Sequence, residues 1–240
     1  MQSQWWPEVV ERVRPAGDAA LDLSPEQLTW SAAVALALVA LGPLWRLVRL
    51  GVTLVHELGH ALTGLAAGRK FTGFVLRADM SGHAVTRGKP RGLGMVATTW
   101  AGYPAPAILG ALLVWTATRG WAAPVLTALL VILLISWVRV RSLLTALVML
   151  AVSAGTAALW WAGDDDLQAQ VLLAVGLVLL IGGWRHLGAV WRGRDPGSDP
   201  AVLARLTPVP RLLWLLSFAV VLAAATALVL SEAQRLLGWW

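Results

Sequence analysis

His56, Glu57 and His60 form an H-E-x-x-H pattern in the stretch VTLVHELGHALTGLAA, residues 52–67. On a helix, side chains four apart share a face, about 5–6 Å from one another. Two imidazoles at that spacing can share one Zn²⁺, and the intervening glutamate can act as general base toward a water in the same site. His56 and His60 are therefore candidate metal ligands and Glu57 the candidate catalytic base. The alternative is three unrelated polar side chains, each finding its own partner. A buried polar group without a partner costs free energy, and one ion and one water would satisfy all three groups.

The setting sharpens this reading. The chain has 240 residues, 58% of them apolar and 13% charged, with a formal net charge of +6. Long uncharged apolar runs recur along it, as in a polytopic membrane protein. An ionisable side chain inside such a run is costly, about 2.5–3.5 kcal/mol at the centre of a membrane helix, and such groups mark functional sites. The small charge excess reads as loop residues that set topology, and no basic stripe interleaved with aromatics points to nucleic acid. There is no Cys, which excludes disulfides and thiolate-bound zinc. The opening MQSQWWPEVVERVRP lacks the layout of a cleaved signal peptide.

The elements that must position the motif follow from hydropathy and breakers. We expect an all-α polytopic membrane protein with about seven transmembrane helices, at 28–45, 47–67, 93–118, 121–138, 142–161, 167–187 and 211–230. Residues 1–27 read as a polar or interfacial segment, with Trp6, Val9, Val10 and Val13 at helical spacing. Residues 28–240 read as one membrane-embedded domain. Gly68 is placed to end the motif helix. Between it and the next span, 71–76 and 83–87 read as strands around the turn signal DMSG, a small β-hairpin. A protease holds its substrate extended, so a free strand edge beside the metal is a place for an unwound segment to pair. This makes Phe71, Gly73, Phe74 and Val75 candidate substrate-binding residues; a plain basic loop is the alternative. Gly102, Pro104, Pro106 and Gly110 are expected to break or kink the 93–118 span. Tryptophans, Trp30, Trp121 and Trp161 among them, fall near span ends, where an interfacial belt sits.

Lys and Arg concentrate in the loops at 68–92, 139–141 and 185–211, while Asp164, Asp165 and Asp166 make the intervening loop acidic. The positive-inside rule then puts the basic loops in the cytoplasm. In a seven-span layout this leaves Arg46 and Arg49 on the wrong side; a re-entrant motif segment would remove that conflict and move the N-terminus outside.

The HELGH run at a span end, the hairpin-like stretch 70–87 and AGYPAPAILGALL at 101–113 together resemble the M50 intramembrane zinc metalloproteases, the site-2-protease group, and within it the M50B-like branch. RVRSL at 139–143 and GSDPAVLARLTPVPRLLW from 197 are similar to later blocks of that branch. The resemblance implies a zinc-dependent intramembrane endopeptidase of a bacterial plasma membrane, with its active site toward the cytoplasm and a transmembrane protein as substrate. Its partners would be the lipid bilayer and, as a further option, a regulatory membrane protein. A catalytic zinc needs a third protein ligand, which the family supplies from a Leu-Asp-Gly block. This chain has no such block and contains no Asn. Asp199, in a segment resembling the branch's Ser-Asp-Ala block, is the favoured third ligand, although Ser198-Asp199-Pro200 also reads as a helix start. Asp195, Asp79, His83 and His186 are the other candidates. The missing Leu-Asp-Gly keeps open an inactive, partner-binding scaffold of the same family. A metal or proton transporter is disfavoured, because the ionisable groups gather on one segment.

Overall fold

A computed structural model describes residues 9–10, 12–16, 23–77 and 82–238. It is a bundle of helices with one two-stranded sheet. The helices are α1 (Pro25–Ala40), α2 (Gly42–Ala66), α3 (Leu93–Trp100), α4 (Pro104–Ala117), α5 (Ala122–Ser136), α6 (Leu143–Ala162), α7 (Asp165–Arg192), α8 (Asp199–Leu206) and α9 (Arg211–Leu236). The strands β1 (Lys70–Leu76) and β2 (Gly82–Arg87) lie between α2 and α3 and pair antiparallel, Phe74 facing Ala84 and Leu76 facing Gly82. Much of the expected DMSG turn, Asp79 included, and Trp6 lie outside the described residues.

Among the described residues four helices are long and apolar enough to cross a membrane, α5 with the turn that follows it, α6, α7 and α9, and the pair α1–α2 makes a fifth if taken as one span. The chain is an integral membrane protein. The seven-span expectation is not confirmed, for two local reasons. First, α1 and α2 are one bent pair, with an angle of 98° between them. Leu41 is extended, and Pro43 sits in the first turn of α2, where its missing N–H is tolerated and its fixed φ starts a new helix. Second, the 93–118 segment is two helices. Pro104 and Pro106 restart the chain after Trp100, and α4 at 14 residues reaches only about 21 Å against a hydrocarbon core of about 30 Å.

α7 is the central post. Its N-terminus is capped by Asp164, whose carboxylate accepts from the Leu167 N–H at 2.8 Å, with Asp165 and Asp166 favourably placed in the first turn. α4 runs against it in close contact: a Cβ on Gly110 would lie 2.5 Å from the Gly176 carbonyl, and one on Gly176 would lie 2.6 Å from that of Gly110. Small residues let two apolar helices approach where no hydrophobic force separates protein from lipid. Phe218 and Leu222 of α9, Ala107 of α4 and Leu179 of α7 share one buried core.

The bundle has two chemically different ends. At one, Ala16 N–H donates to Gly120 O, Arg12 donates to Trp160 O, and the acidic start of α7 follows. At the other lie the hairpin, the 139–145 connection bonded to it and α8. The described parts of the basic connection 68–92, residues 68–77 and 82–92, gather there with 139–141 and 192–211. The bend also places Trp45, at the start of α2, beside His186 near the C-terminal end of α7, with ring centroids 6.3 Å apart. Arg46 and Arg49 therefore belong with the basic end. The charge conflict of the seven-span layout came from assuming that α2 ran straight through.

Candidate metal centre

α2 carries His56, Glu57 and His60 across the basic half of the bundle, and Gly68, with φ of 73°, turns the chain out of it into β1. α8 brings Asp199 to the same place. His56 Nε2 lies 3.2 Å and His60 Nε2 3.3 Å from Asp199 Oδ2, and the two Nε2 atoms are 3.1 Å apart. Those edges are close to the ~3.3 Å that separates ligands on a tetrahedral zinc with bonds of about 2.0–2.1 Å. Among the described residues this trio is the cluster of three able to hold a metal ion.

The donors point inward for identifiable reasons. His60 Nδ1 is 2.7 Å from the Thr98 carbonyl oxygen. A carbonyl accepts only, so Nδ1 carries the proton and the Nε2 lone pair is left facing the cluster. Asp199 does not cap its helix. The cap is Ser198, whose hydroxyl donates back to Asp195 O at 2.7 Å, leaving the Asp199 carboxylate to turn toward the imidazoles. Its Oδ2 is buried and has no hydrogen-bond donor.

A cation fits the gap that remains. A Cβ built on Gly102 would press on His60 Nε2 and lie 2.6 Å from His56 Nε2. Only glycine leaves that cradle open. Its neighbour Tyr103 walls it, with its ring edge-on to His56 at 4.9 Å and stacked on Phe218 at 5.1 Å. Glu57 is 4% exposed and rests against the backbone of Gly82, where a Cβ would come 2.5 Å from Glu57 Oε1.

The other candidate ligands are elsewhere. His83 is exposed on β2. Asp195 is a turn residue that accepts from the Gly197 N–H at 2.8 Å. His186 is half-buried on α7, with its Nε2 enclosed, and is not in the trio. Reading the sequence alone missed Thr98, Tyr103 and the role of Gly102 and Gly82. The AGYP run did flag Gly102, but as a kink.

The substrate-edge expectation needs correction. Phe71, Gly73, Phe74 and Val75 are on β1, whose outer edge is taken. Phe74 bridges Val140, Arg141 donates to Thr72 O, Ser142 donates to Leu76 O, and the Leu76 N–H donates to Thr145 Oγ1. Phe74 is fully buried. The edge without a strand partner among the described residues is that of β2.

What the fold and cluster define is a membrane protein with a half-buried His-His-Asp site between an H-E-x-x-H helix and α8. Residues 29–229 match the family described as Peptidase M50B-like, and the chain belongs to that family. Searches of the curated proteins and of the solved structures returned no match.

Proposed function

We propose that the chain is a zinc-dependent intramembrane endopeptidase. The observation that carries this reading is the convergence of His56 Nε2, His60 Nε2 and Asp199 Oδ2 to within 3.1–3.3 Å of one another. His56, His60 and Asp199 would hold the ion; when bound, zinc supplies Lewis acidity, lowering the pKa of a water toward ~7 and polarising the scissile carbonyl. Glu57 takes the proton of the attacking water and returns it to the departing amine. Its buried seat against Gly82 limits the carboxylate's freedom, so the proton is handled at one position.

The substrate edge of this reading is β2. Around α2, β1 packs over Leu54 and Leu58, while β2 meets Glu57 and Gly64. At about 100° per residue, the next sector of the helix surface is that of His60 and His56. An unwound segment of a transmembrane substrate, added to β2 about 4.8 Å further round, would lie across the metal cradle. The basic end would face the cytoplasm and the N-terminal end the outside, the layout of a re-entrant motif segment. The Asp199 position favours the peptidase over the inactive scaffold, because it fills the role of the absent Leu-Asp-Gly. The test is Glu57→Ala in proteoliposomes with labelled single-span reporter proteins. Cleavage is expected to fall to background while one zinc per chain is retained; unchanged turnover rejects the assignment, and wild-type protein without zinc returns the chain to the scaffold reading.

A further inference from the structure

A further imidazole with a buried nitrogen, that of His186, lies one helix away from the cradle. His56 Nδ1, on the opposite side of its ring from the donor nitrogen, is buried and has no hydrogen-bond partner; the same is true of His186 Nε2. A buried polar atom left unpaired forfeits its solvation with nothing in return. His60 avoids that cost through Thr98 O. His56 has no equivalent, although an imidazole that binds a metal nearly always donates its other N–H to an outer partner.

Two packing registers bring the orphans together. α4 runs antiparallel to α7, with Gly110 on Gly176 and Ala107 on Gly183. Continuing that register one turn sets Tyr103 level with His186, and the Tyr103 ring packs on His56. On the other side, a Cβ on Gly182 would lie 2.7 Å from Val52. His56 is one turn beyond Val52, and His186 is one turn beyond Gly182. Both imidazoles thus leave the same helix crossing on the side that Tyr103 closes. Arg185 is engaged elsewhere, donating to Val39 O and lying over the Trp45 ring at 4.2 Å.

We propose that His186 is the positioning residue for His56, with one water joining His56 Nδ1–H to His186 Nε2. The water accepts from His56 and donates to His186. This fixes the His56 proton on Nδ1 and aims the Nε2 lone pair at the cradle, as Thr98 does for His60. Polar surroundings with two partners are what a buried water requires. The inference rests on the metal-site reading above.

The experiment is zinc affinity by chelator competition on the full chain in detergent, comparing wild type, His186→Leu and His186→Gln. The leucine variant is expected to bind zinc about 10–100-fold more weakly. Gln, whose amide can still bond the water, is expected to restore most of the loss. The absorption of the Co²⁺-loaded protein should change for Leu and not for Gln. Leucine binding within about two-fold of wild type overturns the inference while leaving the metal site intact; so does a loss that Gln fails to restore, since that is a packing effect. Wild type that takes up no ion overturns both. If the leucine variant does not fold, ¹⁵N–¹H spectra of zinc-loaded wild type decide: a protected His56 Nδ1 proton is expected, and its absence overturns the proposal.

Discussion

Two carboxylates tie distant parts of this chain together, Glu232 buried and Asp199 half-buried with its Oδ2 enclosed, and their surroundings are opposites. Glu232, near the end of α9, is 5% exposed and fully answered. Arg119 donates to Oε1 at 2.8 Å; Arg235 at 3.0 Å and Thr118 at 3.2 Å donate to Oε2. Arg235 also reaches Thr118 O. Both Glu232 oxygens have donors, although Arg119 Nε is left without a partner, so the clasp closes the α4–α5 turn onto α9 and its carboxylate has no oxygen left open. Asp199 faces nitrogen lone pairs instead of donors. Its Oδ2 and the Nδ1 of His56 are left without partners, and a glycine keeps the space between the donors clear. Burial alone does not mark a functional carboxylate; burial with the hydrogen-bond account left open does.

The comparison breaks most visibly at Asp199. Asp199→Ala removes one of three donors, and the expected outcome is loss of stoichiometric zinc and of cleavage, with the helical content unchanged. Metal analysis of the purified variant checks it; a full complement of zinc would mean that another group supplies the third bond. Gly102→Ala is the sharper variant, because it deletes no donor. Its methyl would occupy the space between His60 Nε2 and His56 Nε2, so the bound ion must move or leave. We expect a zinc affinity lowered by at least the 10–100-fold typical of losing an outer partner, measured by the same chelator competition. Unaltered affinity would show that the 101–103 backbone does not crowd the cradle.

How much of this was legible depended on the range of the physics involved. The His56–His60 pair follows from helical periodicity, a local property, and so does the end of α2 at Gly68. The hairpin followed from composition and a turn. Asp199 meets the motif from about 140 residues away, a contact no periodicity encodes; only the Ser-Asp-Pro block and its family resemblance pointed to it. The seven-span count is not confirmed, because hydropathy reports apolarity and not direction. The run 28–67 is mostly apolar, yet it bends by 98° at Leu41, and Pro43 was the available sign. The choice of strand edge was not decidable locally. Which edge of a hairpin stays open depends on where another segment docks, and here residues 139–145 dock on β1.

The smallest expected effect lies at the satisfied carboxylate, where it tests the comparison from the other side. Glu232→Gln keeps the shape and some of the hydrogen bonds but removes the charge between two guanidinium groups. Removing one partner of a fully buried ion pair costs about 3–5 kcal/mol. The Arg119 side chain is 33% exposed and that of Arg235 is 47% exposed, so solvent screens part of the loss, and about 1–2 kcal/mol is the expected cost. Thermal unfolding in detergent should show it as a lowered midpoint, with the zinc content and cleavage rate of the folded protein unchanged. The clasp is separated from the cradle by the length of α9 and α4, and no described hydrogen bond links the two. A drop in zinc affinity in Glu232→Gln would mean that the ends are mechanically coupled, and the division between a closed structural carboxylate and an open functional one would then fail.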